Sequence, residues 1–307
     1  MSRKGWVLFA TMCVVWGIPY LLIKVAVSGV GVPVVVFGRT ALGALILLPF
    51  ALRSGQLDTL RRLWRPLVAF TALEMIGPWG LLSEAERTLP SSLAGLLIAA
   101  VPILGVVIFR LTGGAEQLSP RRWTGLLVGL AGVVVLAAPY LKSGSIWPVT
   151  EVLLVALGYA SAPLIAARKL ADVPALPMTT ACLSLAALVY LPAAILDWPH
   201  RLPAAKVLGA VGGLGVICTA IAFLVFVALI REIGPTRTMV FTYINPAVAV
   251  AAGVVVLGEP VTVTIAVSFA LIIAGSVLAT GSRRDQPPGE QQPSTLVQPD
   301  PVPADQP

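Results

Sequence analysis

Long uninterrupted apolar runs dominate the amino-acid sequence and determine the predicted secondary structure. One run, VGLAGVVVLAA, shows no alternation of polar and apolar residues, whereas the strands of a membrane barrel alternate over about ten residues. Inside a bilayer the backbone of such a run has no water to bond to, so its amide and carbonyl groups must bond within the run. The pattern therefore predicts membrane-spanning α-helices.

Apolar runs that approach or exceed the length of a membrane span, about 20 residues, recur along the chain. They lie at 6–27, 33–52, 67–84, 91–109, 123–139, 149–167, 178–196, 207–230, 237–257 and 262–280. Arg3 and Lys4 precede the first run, as in a signal peptide, but that run is longer than a signal core and lacks a convincing cleavage site. We interpret it as a retained first helix.

Composition supports this interpretation and excludes a soluble fold. Of 307 residues, 57% are hydrophobic and 11% are charged, with a mean hydropathy of +0.92. Soluble domains have roughly 45–50% apolar and about 25% charged residues, so the excess apolar surface must face lipid. The segment 281–307, rich in proline and glutamine, is predicted to be a disordered cytoplasmic tail.

Basic residues predict the orientation in the membrane. With the N-terminus inside, the predicted cytoplasmic segments contain 15 of the 21 Lys and Arg residues, and the opposite side contains 4. Cytoplasmic loops are enriched in Lys and Arg, so both termini are predicted to be cytoplasmic. The basic residues are scattered over short loops and do not form one patch. We therefore attribute the net charge of +7 to membrane topology and expect no nucleic-acid partner.

An internal duplication divides the chain. The segment that begins at Pro102 resembles the one that begins at Pro246, and Glu116 matches Glu259 at an offset of 143 residues. We therefore predict a five-helix repeat at 1–140 and a second at 141–280. An odd number of helices inverts one repeat relative to the other, which is typical of secondary transporters. The predicted fold class is an all-α membrane protein with ten transmembrane helices in two inverted five-helix repeats.

Together with the Trp16–Gly17 pair, these two proline-to-glutamate segments resemble the EamA-type transporters of the drug/metabolite transporter superfamily. The resemblance covers about residues 6–280. It implies ten helices with cytoplasmic termini and a central cavity lined by both repeats. It also implies export or exchange of small metabolites, amino acids or drugs. It does not identify the substrate.

Three charged residues lie inside predicted spans, where insertion costs about 2.5–3.5 kcal/mol per charge. They are Lys24, Arg39 and Glu74. Lys24 either extends to the headgroups or takes part in coupling. Arg39 and Glu74 are too deep to reach bulk water easily, so they form either a structural ion pair or a substrate or proton site.

The remaining candidates lie where helices are polar, aromatic or interrupted. For each candidate, simple packing in the protein core is an alternative to a role in a pathway or cavity. The candidate cavity residues are Trp16, Tyr20, Trp79, Tyr159, Thr242 and Asn245, and the predicted helix breaks are at Pro19, Pro102 and Pro246. Proline removes a backbone donor, and freed carbonyls are tolerated where protein or a water cavity receives them.

Other acidic residues occur at predicted helix ends. Glu84, Glu86 and Arg87 form either an outer gate or a solvated loop. Glu116 and Glu259 precede the predicted fifth and tenth helices, where a carboxylate complements the helix dipole, so we expect them to cap those helices.

Motifs for other function classes are missing. The sequence contains neither a Walker A motif nor a G-x-S-x-G motif, and its only histidine, His200, lies in a predicted loop. We therefore expect no enzyme activity, no cofactor and no metal. The leading hypothesis is a secondary transporter of a small molecule in the lipid bilayer, with a channel or a flippase of lipid-like substrates as the alternative. A homodimer is left open.

Overall fold

A computed structural model describes residues 2–53, 60, 62–112, 119–143, 146–234 and 238–280. All regular secondary structure in these residues is helical. The predicted tail at 281–307 and Glu116 lie outside the described residues.

Fourteen α-helices, two π-helical turns and one 3₁₀ turn make up this part of the chain. In chain order they are α1 (Arg3–Val15), α2 (Pro19–Val27), α3 (Val32–Arg53), α4 (Trp64–Thr71), the turn π1 (Ala72–Ile76), α5 (Gly77–Thr88), α6 (Ser91–Ile98), α7 (Val101–Leu111), α8 (Pro120–Ser143), α9 (Trp147–Lys169), α10 (Ala175–Leu196), α11 (Ala205–Gly215), the turn π2 (Val216–Ile221), α12 (Ala222–Ile233), the 3₁₀ turn Met239–Tyr243, α13 (Asn245–Leu257) and α14 (Val263–Thr280).

These elements occupy the ten predicted segments. Within the described residues, eight helical stretches are long and apolar enough to cross a membrane, and the apolar helices Asn245–Leu257 and Val263–Leu278 are shorter. The third stretch differs most from its predicted bounds of 67–84, because it continues to Thr88 through the polar sequence SEAERT. The solvated-loop interpretation of Glu84, Glu86 and Arg87 is therefore wrong: all three belong to α5.

Proline marks three interruptions of the helices. Pro19, Pro102 and Pro246 each lie in the first turn of the helix that follows the interruption. Proline fits this position because its nitrogen has no hydrogen to donate and its fixed φ suits a helix start. The interruptions free backbone carbonyls inside the bundle.

Packing between the two halves of the chain forms the core. Helix α3 packs along α10, α6 along α13, and α8 along α14. Gly129 and Gly275 permit the last of these contacts, since a Cβ atom on Gly275 would lie within 2.4 Å of the Gly129 Cα. Small residues let helices approach closely in membranes.

Candidate functional site

Widened π-helical turns interrupt corresponding helices of the two halves. The described residues contain two such turns, π1 and π2, and Val216 follows Ala72 by 144 residues, close to the repeat offset of 143. π-helical turns are rare and are frequent at functional sites. Their corresponding positions in the two halves indicate a candidate site near the middle of these two helical stretches.

Arg39 connects the two halves beside π2. Its Nε atom donates a 3.1 Å hydrogen bond to the hydroxyl of Thr219, and its guanidinium carbon lies 3.6 Å from the centroid of the Trp79 ring. Both side chains of the hydrogen bond are buried. A guanidinium stacked on indole in a desolvated place is stabilised by about 2 kcal/mol, which helps to keep this charge inside the span.

Two tyrosines surround this stacked pair. Tyr159 on α9 interacts with both Trp79 and Arg39, and Tyr20 on α2 interacts electrostatically with Tyr159 and Arg39. The structure thus brings four sequence candidates together, from α2, α3, α5 and α9. Thr219, the hydrogen-bond partner of Arg39, was missed because threonine in an apolar span carries no distinctive signal.

Glu74 lies in π1, and its side chain is partly accessible. It interacts electrostatically with Tyr159 and with Cys182 of α10. No ion pair joins Glu74 to Arg39 in the described part of the chain, because the guanidinium is held by Thr219 and Trp79 instead. The suggested structural pair is therefore absent, and a substrate or coupling role for Glu74 stays a prediction.

The contacts of the two π turns are related by the repeat. Cys182 follows Arg39 by 143 residues. It forms a hydrogen bond with Thr71, the residue before π1, and interacts electrostatically with Glu74, whereas Arg39 bonds to Thr219 in π2. The two halves thus place a cation at one π turn and a thiol near the other, which contains a carboxylate. Tyr190 of α10 stabilises π1 further by donating a 2.7 Å hydrogen bond to the carbonyl of Ile76.

Trp16 lies in an aromatic cluster. Its ring centroid is 5.1 Å from that of Phe226 and 5.2 Å from that of Phe241. The cluster fills the space beside the interruption between α1 and α2, with Met12 and Leu229 packed around it. This arrangement matches the packing alternative for Trp16.

Asn245 forms a hydrogen bond with the backbone carbonyl that is freed at the same interruption. Oriented as a donor, its amide lies 3.3 Å from the Cys13 carbonyl and 3.1 Å from the Phe241 carbonyl. The amide of Gly17 bonds to Val14 instead of Cys13, which explains why the Cys13 carbonyl accepts a side chain. Asn245 thus acts as an interhelical hydrogen-bond donor, and Thr242 lies one turn before it with a partly buried side chain.

Lys24 caps the end of α5. Its Nζ atom donates to the carbonyls of Glu86, at 2.7 Å, and Leu89, at 2.9 Å. Cations are stabilised at the carbonyl end of a helix by the helix dipole. Lys24 therefore does not simply extend to the headgroups.

Glu86, in the last turn of α5, is fully buried. Neither carboxylate oxygen accepts a hydrogen bond of good geometry within the described residues. Its electrostatic partners are Lys24, Glu259 and Arg39. Nothing in the sequence indicates this burial, since acidic residues beside a basic one near a span end are usually solvated.

Glu259 caps a helix, but not the predicted one. Its carboxylate accepts hydrogen bonds from the amides of Ser91, at 2.7 Å, and Ser92, at 2.9 Å, and from the Ser91 hydroxyl. It therefore caps α6 in the other half, not α14, because the loop after α13 folds over the start of α6. Burial alone would raise the pKa of Glu259, but the hydrogen bonds from Ser92 and Ser91 hold it below its ordinary value.

Surface cavities lie elsewhere. One of about 460 Å³ is lined by the α2–α3 turn, Arg87 and the segment after α10, including Asp197 and His200. Another of about 440 Å³ is an apolar groove between α3 and α11 with Arg201 and Trp198 at one end. Of the residues singled out from the sequence as possible site or gate residues, Arg87 alone lines one of these two cavities.

Comparisons with known proteins agree with this architecture. The chain is 30% identical over 279 residues to an uncharacterized inner membrane transporter of Escherichia coli K12, YedA, with 89% of each chain covered. It is 24% identical over 287 residues to an uncharacterized transporter of Bacillus subtilis, YvbV, covering 91% of this chain and 92% of that protein. A solved crystal structure shares the fold, with a TM-score of 0.64 and 24% identity over 91% of this chain and 98% of its own.

The profile of the EamA-like transporter family matches twice, at residues 3–138 and 146–281. Both matches together cover almost all described residues, and the helices described above make the protein a multi-pass membrane protein. The chain therefore belongs to the EamA-like transporter family and is a membrane transporter.

Proposed function

We propose that the chain is a secondary transporter, a permease or exporter of a small metabolite, amino acid or drug. Its ten helices form two inverted five-helix repeats, 1–140 and 141–280, that alternate access around a site near the membrane midplane. Both termini are cytoplasmic, as the distribution of Lys and Arg indicates. Inverted repeats of this kind typically bind substrate at their interface.

The observation that supports this proposal most is the contact of Arg39 with Thr219 beside paired π turns. Arg39 belongs to the first matched region and Thr219 to the second, so the contact lies between the two halves. A hydrogen bond that crosses between two rigid units changes when the units rock, and the π turns provide irregular backbone at the same level.

The chemistry of Arg39 suits a polar ligand. Its Nε atom is occupied by Thr219, whereas its terminal nitrogens have no hydrogen-bond partner in the described part of the chain. A guanidinium presents paired donors that match carboxylate and similar planar groups. The Trp79 ring stacks on it, and Tyr20 and Tyr159 interact with it electrostatically. We propose these four residues as the centre of the substrate site, together with Glu74.

Uptake into vesicles tests the proposal. Purified protein in liposomes is expected to show saturable uptake or counterflow of at least one labelled compound from a panel of amino acids, nucleosides and cationic drugs. Uptake that rises linearly with concentration would indicate a channel instead. If no compound in the panel exchanges, the proposed substrate classes are wrong.

A conservative substitution locates the site. Arg39→Lys keeps the charge but loses the flat stack on Trp79 and the Nε donor, so we expect at least about a tenfold loss in kcat/KM, or about 1.4 kcal/mol. Arg53→Lys is the matched control, because Arg53 lies exposed at the end of the same helix. Equal transport by the two variants would place the substrate site elsewhere.

One observation favours the alternative of a lipid-like substrate. The apolar groove between α3 and α11 is lined by Val34, Phe37 and Val211 and ends at Trp198 and Arg201. Such a groove fits an acyl chain with its headgroup at the interfacial end. Movement of a fluorescent phospholipid between leaflets, faster with the protein than in empty liposomes, would support this second function.

A further inference from the structure

The predicted outer ends of four helices meet at a charge cluster that the proposed transport site does not use; one of its members is fully buried and two are half-buried. We define the outer cluster as Lys24, Glu86 and Glu259. Lys24 ties α2 to the end of α5, and Glu259 ties the loop after α13 to the start of α6. The cluster therefore joins the first half of the chain to the second.

The three charges differ in how well they are compensated. Lys24 has two close backbone carbonyls as partners. Glu259 has three donors at a helix start, and these keep its pKa below the ordinary value although burial opposes them. Glu86 has no donor of good geometry in the described residues, although it is 0% exposed.

The position of Glu86 in α5 adds to this imbalance. It lies two residues before the last residue of the helix, Thr88, where the partial charge of the helix dipole is negative. With all three groups ionised, one positive and two negative charges leave the outer cluster with a formal charge of −1. Burying an uncompensated charge is costly, and one further positive charge would neutralise the cluster.

Other charged and titratable groups around α5 compensate Glu86 less directly than Lys24 does. Arg39 on α3 is an electrostatic partner of Glu86 and the last one named for it, because it is stacked on Trp79, seven residues before Glu86 and thus roughly 10 Å away along the helix axis. Tyr20 on α2 has no positive charge to offer. On α9, the neighbouring acidic residue Glu151 interacts with Glu84 on a different side of α5.

We propose that Glu86 is the proton-binding site that couples transport to the proton gradient. This inference rests on the proposed secondary-transport function. When the outer end is open, water reaches Glu86 and its carboxylate binds one proton from the outer solution to become a neutral carboxylic acid. Closure of the outer end buries this acid. The proton leaves as the carboxylate re-forms when the cavity opens to the other side, so each cycle carries one proton across the membrane.

A proton suits this site better than a metal cation. Sodium ions in transporters are coordinated largely by backbone carbonyls at broken helix ends. Here the carbonyls of Glu86 and Leu89 at the end of α5 are already occupied by the ammonium of Lys24. A proton needs only the carboxylate oxygen itself.

Infrared spectroscopy tests the proton site without any substrate. The full-length protein in vesicles is expected to show the C=O stretch of a buried protonated carboxyl group, and Glu86→Gln is expected to remove that band. Glu84→Gln is the matched control, since Glu84 lies two residues away, exposed and paired with Arg87, and it should leave the band unchanged. If the band persists in Glu86→Gln, the inference is wrong. This includes the outcome in which Glu74→Gln removes the band.

Transport measurements separate this inference from the proposed function. For a compound that the vesicle screen identifies, a pH gradient is expected to change the initial rate severalfold in the wild type and in Glu84→Gln. Glu86→Gln should lose that dependence while it still exchanges labelled for unlabelled compound. Glu86→Met, similar in volume and without polar atoms, should behave in the same way and guards against an effect of the introduced amide.

The outcomes are distinct. If no compound is transported but the band of Glu86 is present, the transport function fails and the proton site stands. If transport is saturable but neither the band nor the pH dependence is lost in Glu86→Gln, the transport function stands and the coupling inference is wrong. Rates that follow a sodium gradient and ignore the pH gradient also overturn it.

Discussion

The Nε atom of Arg39 donates a hydrogen bond of 3.1 Å to the hydroxyl of Thr219, 180 residues further along the chain. The same hydroxyl donates to the carbonyl of Leu214, five residues earlier. A bond over five residues belongs to the widened π2 turn rather than to an ordinary α-helix. The π turn thus orients the Thr219 hydroxyl, which accepts the hydrogen bond from Arg39. Arg39 carries the only charge of α3 that lies deep inside its span.

Thr219→Val tests this arrangement. Valine has nearly the same shape but no hydroxyl, so the Arg39 donor is left unsatisfied in a buried place. We expect a loss of about 1–3 kcal/mol in stability, seen as a lower midpoint of thermal unfolding in detergent. Thr124→Val is the control, because Thr124 is exposed and bonds only to its own helix; an equal loss in both variants would contradict the assigned role of Thr219.

Gly253→Ala tests the contact between Glu259 and α6. A Cβ atom at this position would lie 2.4 Å from Glu259 Oε2 and 2.9 Å from the Ser91 hydroxyl. We expect destabilisation by about 1–3 kcal/mol through overpacking, again measured by thermal unfolding. Gly105→Ala on α7 is the control. Its added Cβ atom would have no neighbouring atom within 4 Å, and the substitution should stabilise the helix slightly, by about 0.5–1 kcal/mol. Equal behaviour of the two variants would argue against the close contact.

Acidification should weaken the same contact. The pKa of Glu259 is lowered in the folded protein from its ordinary value of 4.5, so its contribution to stability is complete above that value and is lost as the pH falls through the lowered one. We expect the unfolding midpoint of the wild type to fall more steeply below pH 4.5 than that of Glu259→Gln. Parallel curves would show that the carboxylate does not gain from Ser91 and Ser92.

Asn245→Ala should act on stability rather than on substrate binding. The amide bonds to the carbonyls of Cys13 and Phe241, and its removal leaves both without this donor. We expect a loss of about 1–3 kcal/mol with KM for a transported compound unchanged. A rise in KM at unchanged stability would instead return Asn245 to the cavity, as its place in a polar helix first suggested.

The sequence was sufficient for the helices and their interruptions. Apolar runs and prolines act locally, so Pro19, Pro102 and Pro246 indicate the interruptions without knowledge of neighbours. Glu259 shows the limit of local reasoning. The preference of a carboxylate for a helix start was correct in kind, but the helix that it caps belongs to the other half.

Contacts between helices were not predictable from one sequence. The spacing within α3 shows that Arg39 is deep in the membrane, but it does not reveal Thr219 as its partner. Glu86 is similar: its sequence neighbours are polar, and only the packing of α2 and the loop after α13 around α5 buries it. The π turns also lack a sequence signal, because ALEMI and VICTAI would form ordinary helix equally well.

The paired π turns let each of two helices contain one residue more than an ordinary α-helix with the same faces. A π turn closes its hydrogen bonds over five residues instead of four, so the extra residue is absorbed within the turn. Elsewhere in a helix, one added or deleted residue rotates everything beyond it by about 100°. Ala72–Ile76 and Val216–Ile221 are therefore the places where a one-residue deletion should leave the lipid-facing and pathway-facing sides of the helix in register.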